Sequence, residues 1–272
     1  MSHFTVMVIT SDGDYEKALE PFDESIEVEP YISKTREKCI QELVEYKRRY
    51  DNHDEKFNRQ WFEENFNDVN FYDGKSIYEA YKKYNDYYDY DEEGNVLSTY
   101  NPNSKWDWYQ LGGRWKGTLR LKEGAKVMRE SDTSWTNSNE EVQEGYTDFA
   151  QVKDIDWSPD YKDLEYHKRF WEINVEGKPL KDGEKEEDFK SFWNAKYYLD
   201  KYGTIDNYID DNCNITTYAI LNHGEWIEPG KMGWWGCSHA TEDGNMVYRQ
   251  VYKDIIKNLN PEDYIAIVDC HI

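Results

Sequence analysis

Tyr264-Ile-Ala-Ile-Val-Asp-Cys-His-Ile272 reads as an apolar strand. Directly before it, Asn260-Pro261 breaks an amphipathic helix over Met246–Leu259, in which Met246, Val247, Val251, Ile255, Ile256 and Leu259 repeat at helical spacing. At the other end, Phe4-Thr-Val-Met-Val-Ile-Thr10 alternates, is rich in β-formers and turns at Ser11-Asp12-Gly13. Apolar first and last strands are easiest to bury when both belong to one core. The expected class is therefore α+β: a mixed or antiparallel sheet containing the N- and C-terminal strands, covered by amphipathic helices, with polar insertions. The helix at 246–259 should lie on that sheet.

Between these ends the pattern predicts helices at about Thr35–Tyr50, Phe57–Phe66 and Ile77–Tyr84, the last capped by Ser76. Trp106-Asp-Trp-Tyr-Gln-Leu-Gly-Gly-Arg-Trp115 reads as an aromatic strand bent at Gly112-Gly113, with a second strand over Arg114–Leu121. Residues 122–165 are polar and irregular and read as an insertion within a single domain spanning 1–272. Arg169–Val175 reads as a strand, and Glu187–Tyr202 as a helix with Phe189, Phe192, Trp193 and Tyr197 on its buried face. A strand is expected at Ile215–Leu221.

Composition narrows the functional classes. The 272 residues include 33 basic and 56 acidic side chains, a net charge of −23, so nothing supplies the basic face that direct nucleic-acid binding requires. Eleven Trp, 24 Tyr and 10 Phe argue for a folded chain, because acidic disordered proteins are poor in aromatics. No run reaches the ~18 apolar residues of a membrane span, and the opening residues lack a basic leader. Cys39, Cys213, Cys237 and Cys270 fit no disulfide framework, which points to a reducing, cytoplasmic setting.

The opening Met1-Ser-His-Phe-Thr-Val-Met-Val-Ile9, the central Trp106-Asp-Trp with Gly112-Gly-Arg-Trp115, and the closing Val268-Asp-Cys-His-Ile272 together resemble a family of uncharacterised proteins found in bacteriophages and prophages. The resemblance implies a phage-encoded protein acting in the host cytoplasm, and it carries no activity with it.

Four constellations bear on function. The acidic, tyrosine-rich Asp86, Tyr87, Tyr88, Asp89, Tyr90, Asp91, Glu92 and Glu93 offer a partner-binding surface, with Lys181–Asp188 as a second acidic segment. Trp106, Asp107, Trp108, Arg114, Trp115, Trp234 and Trp235 offer the walls of a ligand pocket, although Arg114 also reads as a half-buried side chain paired with a carboxylate such as Asp107. Cys270 and His271 are neighbours on a strand and face opposite ways, so they cannot act on each other. Cys270 reads as core, and chemistry there would need Asp107, Arg114, Asp269 or a histidine, His3, His223 or His239, nearby. Cys213, His223, Cys237 and His239 lack zinc-ligand spacing, so no metal and no cofactor is expected.

The leading expectation is an acidic binding protein, without direct nucleic-acid or membrane contact, that inhibits a host anti-phage defence protein by occupying a basic or nucleic-acid-binding surface. A small-ligand or nucleotide-binding sponge and an enzyme using Asp107, Arg114, Cys270 and His271 are the alternatives, with binding ranked ahead of catalysis. A homo-oligomer stays open.

Overall fold

The computed structural model describes residues 2–132, 141–233 and 237–272. In chain order the elements are β1 (His3–Thr10), α1 (Tyr15–Leu19), β2 (Glu27–Lys34), α2 (Arg36–Asp51), α3 (Arg59–Phe66), α4 (Gly74–Tyr84) and β3 (Val96–Tyr100). The central stretch gives β4 (Trp108–Leu111), β5 (Leu119–Arg120), β6 (Tyr146–Thr147), β7 (Phe149–Gln151) and α5 (Tyr161–Asn174). The rest is α6 (Ala195–Tyr202), α7 (Ile205–Cys213), β8 (Ala219–Asn222), β9 (Glu225–Ile227), α8 (Glu242–Lys257) and β10 (Tyr264–His271). Where the sequence suggests one domain, the chain divides into two compact units, Met1–Asp23 with Asn103–Ile272, and Glu24–Pro102.

In the larger unit β1 and β10 pair antiparallel along their length, with His3 opposite His271 and Thr10 opposite Tyr264. β8 adds parallel to β1, and β4 and β7 both pair antiparallel with β10, giving a mixed sheet of order β4-β10-β1-β8-β9 with β7 beside β10. Strand periodicity sends alternate residues to opposite faces. Phe4, Val6, Val8, Val268 and Cys270 join Tyr15, Leu19 and Trp106 on one face, while Met7, Ile9, Ile265 and Ile267 meet Tyr248 and Tyr252 of α8 on the other. Each such fully buried aliphatic side chain contributes about 1.5–3 kcal/mol of transfer free energy. The α+β class, and the shared sheet under the helix near 246–259, are as the sequence predicts.

Several local expectations are corrected. Met246 and Val247 are exposed, and Tyr248 and Tyr252 take the buried stripe of α8, which also starts four residues earlier than expected, at Glu242, after the Thr241 cap. The 122–165 stretch, read as an insertion, supplies β7 to the sheet and Val152 and Ile155 to its core. Arg114–Leu121 is a short 3-10 turn followed by the two-residue β5, because the Gly112-Gly113 bend is tight enough to leave the strand direction. Arg169–Val175 is the end of helix α5, capped by Asp160, with Phe170 and Trp171 in an aromatic cluster with Tyr198, Tyr202 and Tyr208. Phe192 and Trp193, expected inside, are 90% and 52% exposed, because α6 begins only at Ala195.

The smaller unit packs α2, α3 and α4 around Cys39, Leu43, Phe62, Phe66, Ile77, Tyr78 and Tyr81, with β2 and β3 as a two-stranded ribbon. The cap of α4 is Asp73 and not Ser76, whose hydroxyl instead accepts from the Asn70 amide.

Candidate functional site

On the α8 face, β1 reads His3, Thr5, Met7, Ile9 and β10 reads Ile265, Ile267, Asp269, His271. One half of this face is aliphatic and lies under α8. The other half is polar, and the antiparallel register puts its residues side by side: His3 opposite His271, and Thr5 opposite Asp269. β4 pairs with the outer edge of β10, setting Trp108 opposite His271.

The side chains close into two histidine–carboxylate pairs. His3 Nδ1 lies 2.8 Å from Asp269 Oδ1, and His271 Nδ1 lies 2.6 Å from Asp107 Oδ1. A carboxylate accepts only, so each ring presents an Nδ1–H to its carboxylate and turns Nε2 away from it. The two rings are 5.1 Å apart, edge to face, and Trp108 stacks on His271 at 5.0 Å. Asp269 is fully buried, and its second oxygen accepts the backbone N–H of Arg114 at 3.0 Å. His271 Nε2 is buried with no hydrogen-bond partner among the described residues. An orphaned buried ring nitrogen is costly, and an atom that bonded it would relieve that cost.

The Gly112-Gly113 bend makes this packing achievable. Both glycines have positive φ, +74° and +51°, and a Cβ on Gly113 would overlap Asp269, while one on Gly112 would overlap Asp148. Asp148 is itself buried, accepting from the amides of Gly117 and Thr118 at 2.8 and 2.9 Å and from the Ser131 hydroxyl. Burial dominates its environment and pushes its carboxyl up.

The ligand constellation read from sequence is therefore divided. Asp107 and Trp108 stand in the histidine cluster, whereas Trp106 is a core residue beside Phe4 and Leu111. Arg114 is exposed and forms no ion pair among the described residues, against the expected buried pairing, because its backbone and not its guanidinium reaches Asp269. Trp115 is 37% exposed. Trp234 and Trp235 lie outside the described residues. Cys270 points to the opposite face, fully buried among apolar side chains, and burial drives its thiol far up. Its place among the enzyme candidates is withdrawn.

The acidic loop of the smaller unit is also divided. Tyr90 packs into the helical core and its hydroxyl donates to the Asn85 carbonyl. Asp91 is occupied by the amides of Glu93 and Asn95 and by the Asn95 side chain, bonds that hold its carboxyl below the usual range. Asp86, Tyr87, Tyr88, Asp89, Glu92 and Glu93 remain exposed. Tyr87, Tyr88 and Asp89 line a groove of about 540 Å³ with Glu24, Glu27 and Tyr100.

Sequence reasoning reaches Asp107, Asp269 and His271 but misses that His3 belongs with them. The available signal is period-two polarity, His3 and Thr5 on one strand and Asp269 and His271 on the other, on faces otherwise aliphatic. Among the described residues no group of three histidine, cysteine or carboxylate side chains is placed to hold a metal ion. No family model, curated protein or solved structure matches this chain. No helix among the described residues is long and apolar enough to cross a membrane.

Proposed function

We propose that the paired histidines form an acid–base centre and that the protein is an enzyme acting on a small anionic ester. The observation that carries this is the geometry of two imidazoles 5.1 Å apart, each oriented by its own carboxylate. One ring, neutral, removes a proton from water as its oxygen attacks the ester. The other, protonated, delivers its proton to the departing oxygen, so one P–O or C–O bond forms, one breaks, and both rings exchange protons with solvent to reset. Asp269 and Asp107 fix the tautomers and steady the imidazolium. The Arg114 backbone N–H, bonded to the second oxygen of Asp269, holds that carboxylate in place behind His3. Trp108 covers His271 and must swing aside for the substrate to reach Nε2. With a net charge of −23, a long polyanion is disfavoured and a small ester is the class that fits.

The test is hydrolysis of two anionic esters, bis(p-nitrophenyl) phosphate and p-nitrophenyl phosphate, by wild type, His3→Gln and His271→Gln. Each single variant should lower kcat roughly 100-fold or more, the scale of acid–base contributions, while keeping its fold. The wild-type rate should follow a bell-shaped pH profile. Activity equal in all three proteins, or none above buffer with either ester, refutes the assignment.

A second reading is favoured by the groove of the smaller unit. Three carboxylates (Glu24, Glu27, Asp89) and three tyrosines (Tyr87, Tyr88, Tyr100) line it, a combination suited to lysine or arginine side chains of a protein partner. Given the resemblance to phage proteins, a basic surface on a host defence protein is the partner class this reading names. Replacing Asp86, Asp89, Glu92 and Glu93 by their amides should then weaken binding and flatten its salt dependence.

A further inference from the structure

The larger unit carries a second concavity that neither reading uses. A cavity of about 420 Å³ lies along α8, bounded by α7 and by the segment leading into β8. Its walls are Trp157, Ile215, Tyr248, Tyr252 and Ile256. The Tyr248 hydroxyl donates to the Thr217 carbonyl at 2.9 Å and the Tyr252 hydroxyl to the Ile215 carbonyl at 2.7 Å. Both phenols are thus spent on main-chain groups, and burial pushes both further up. What the two rings offer the cavity is carbon.

Its charges are few and unequal. Arg249 Nη2 meets Asp211 Oδ2 at 2.6 Å, and Lys253 Nζ meets Asp210 Oδ2 at 2.5 Å, so two cations are neutralised by two carboxylates. Lys257 lines the same cavity and, among the described residues, forms no ion pair. The lining therefore carries three cations against two anions, in a chain whose net charge is −23. A local reversal of sign beside aromatic walls selects an occupant that is flat, apolar and singly negative. Its volume falls within the range of ordinary small-molecule sites, roughly 300–1,000 Å³.

We infer that this cavity binds a planar aromatic monoanion, such as an aromatic carboxylate or sulfonate, with its ring against Tyr248, Tyr252 and Trp157 and its charge toward Lys257. This site is distinct from the histidine cluster and rests on different residues.

The probe is 8-anilinonaphthalene-1-sulfonate, with neutral N-phenyl-1-naphthylamine as its uncharged counterpart, titrated by fluorescence into the whole native protein. Two surface variants are compared: Lys257→Glu, which removes the surplus cation, and Asn245→Trp, which places bulk at an exposed lining position. Far-ultraviolet circular dichroism and the melting temperature report that each is folded. Wild type should bind the sulfonate at one saturable site. Lys257→Glu should weaken it about tenfold while changing the neutral amine less than about twofold, and Asn245→Trp should abolish binding of both. Unsaturable binding, or binding that survives Asn245→Trp, removes the site. Equal affinity for sulfonate and amine, untouched by Lys257→Glu, overturns the anion class.

Discussion

Gly113 shows how much of this molecule turns on single atoms. With φ at +51° and its α-carbon against Asp269, it lets the Arg114 amide reach that buried carboxylate. Gly113→Ala should therefore destabilise the protein by about 1–3 kcal/mol, the usual cost of overpacking, with the left-handed backbone adding to it. It should also displace Asp269 from His3. A thermal melt measures the first effect, and the His3 imidazole NMR shift the second; an unchanged melt and an unchanged shift would show that the bend is not under this constraint. The residue scale is also where the sequence was half legible. Asp269 and His271 could be singled out because a carboxylate and a histidine are rare in an apolar strand, and Asp107 because it stands between two tryptophans near Arg114. His3 could not be joined to them without the register, since pairing it with residue 271 and not 269 is a property of two strands together. Arg114 was misplaced for the converse reason: its side-chain chemistry suggested an ion pair, but a peptide N–H made the contact.

At the scale of elements, α5 marks where period and composition diverge. Arg169-Phe-Trp-Glu-Ile-Asn-Val175 has strand-like residues, yet Asp160 caps a helix that runs through Asn174. The helix is favoured because it gives Phe170 and Trp171 one aromatic cluster and lets Arg169 clamp the following loop. Arg169 meets Glu184 through two nitrogens, each at 2.8 Å, and reaches the Pro179 carbonyl at 2.6 Å. These bonds, Arg169 first and the Lys181 amide second, hold Glu184 down to about 2. A carboxyl depressed by folding stabilises the native state fully above its ordinary value and progressively less as pH falls toward its folded value. The loop over 178–189 should thus stay protected at pH 5 and open between about pH 4.5 and 2. Amide exchange in that loop is the readout, and Glu184→Gln should be open already at pH 5, with no further acid-dependent step. Identical exchange profiles for the two proteins would mean that the clamp does not hold the loop. The terminal strands were legible because long apolar runs bury on both faces, and α8 was legible in place, though not in its buried stripe, from its helical period. The loop was not, because Lys181–Asp188 reads as solvated charge until Arg169 is seen behind it.

For the molecule as a whole, the sequence suggests an acidic surface concentrated in particular segments, and the division into units bears on that. Of the 56 acidic and 33 basic residues, 19 and 11 fall within Glu24–Pro102, leaving 37 and 22 for the larger unit. The excess is −8 in one and −15 in the other, close to their shares of the chain, so neither unit is a dedicated acidic module. That weakens any reading in which charge alone defines the partner and leaves the Tyr87–Tyr88 groove to supply specificity. The smaller unit is a continuous segment whose boundaries nearly meet, since Glu27 pairs with Tyr100 where β2 begins and β3 ends. An insertion with adjacent ends can be removed with little strain on what remains. Replacing 24–102 by a short glycine–serine linker should therefore leave the larger unit folded, with its sheet, α8 and the histidine pairs intact. The excised segment, at roughly 80 residues with one core built on Phe62, Phe66, Tyr78 and Tyr81, should fold alone with modest stability, near the lower limit for a single unstapled core. Circular dichroism melts of both pieces test the division. If the groove recruits a partner, the isolated segment should bind it alone, while the linker-bearing remainder should keep all ester hydrolysis, so each activity can be assigned to its unit. Loss of hydrolysis in a folded remainder would mean that residues 24–102 take part in catalysis, and the assignment to His3, Asp107, Asp269 and His271 would then be incomplete.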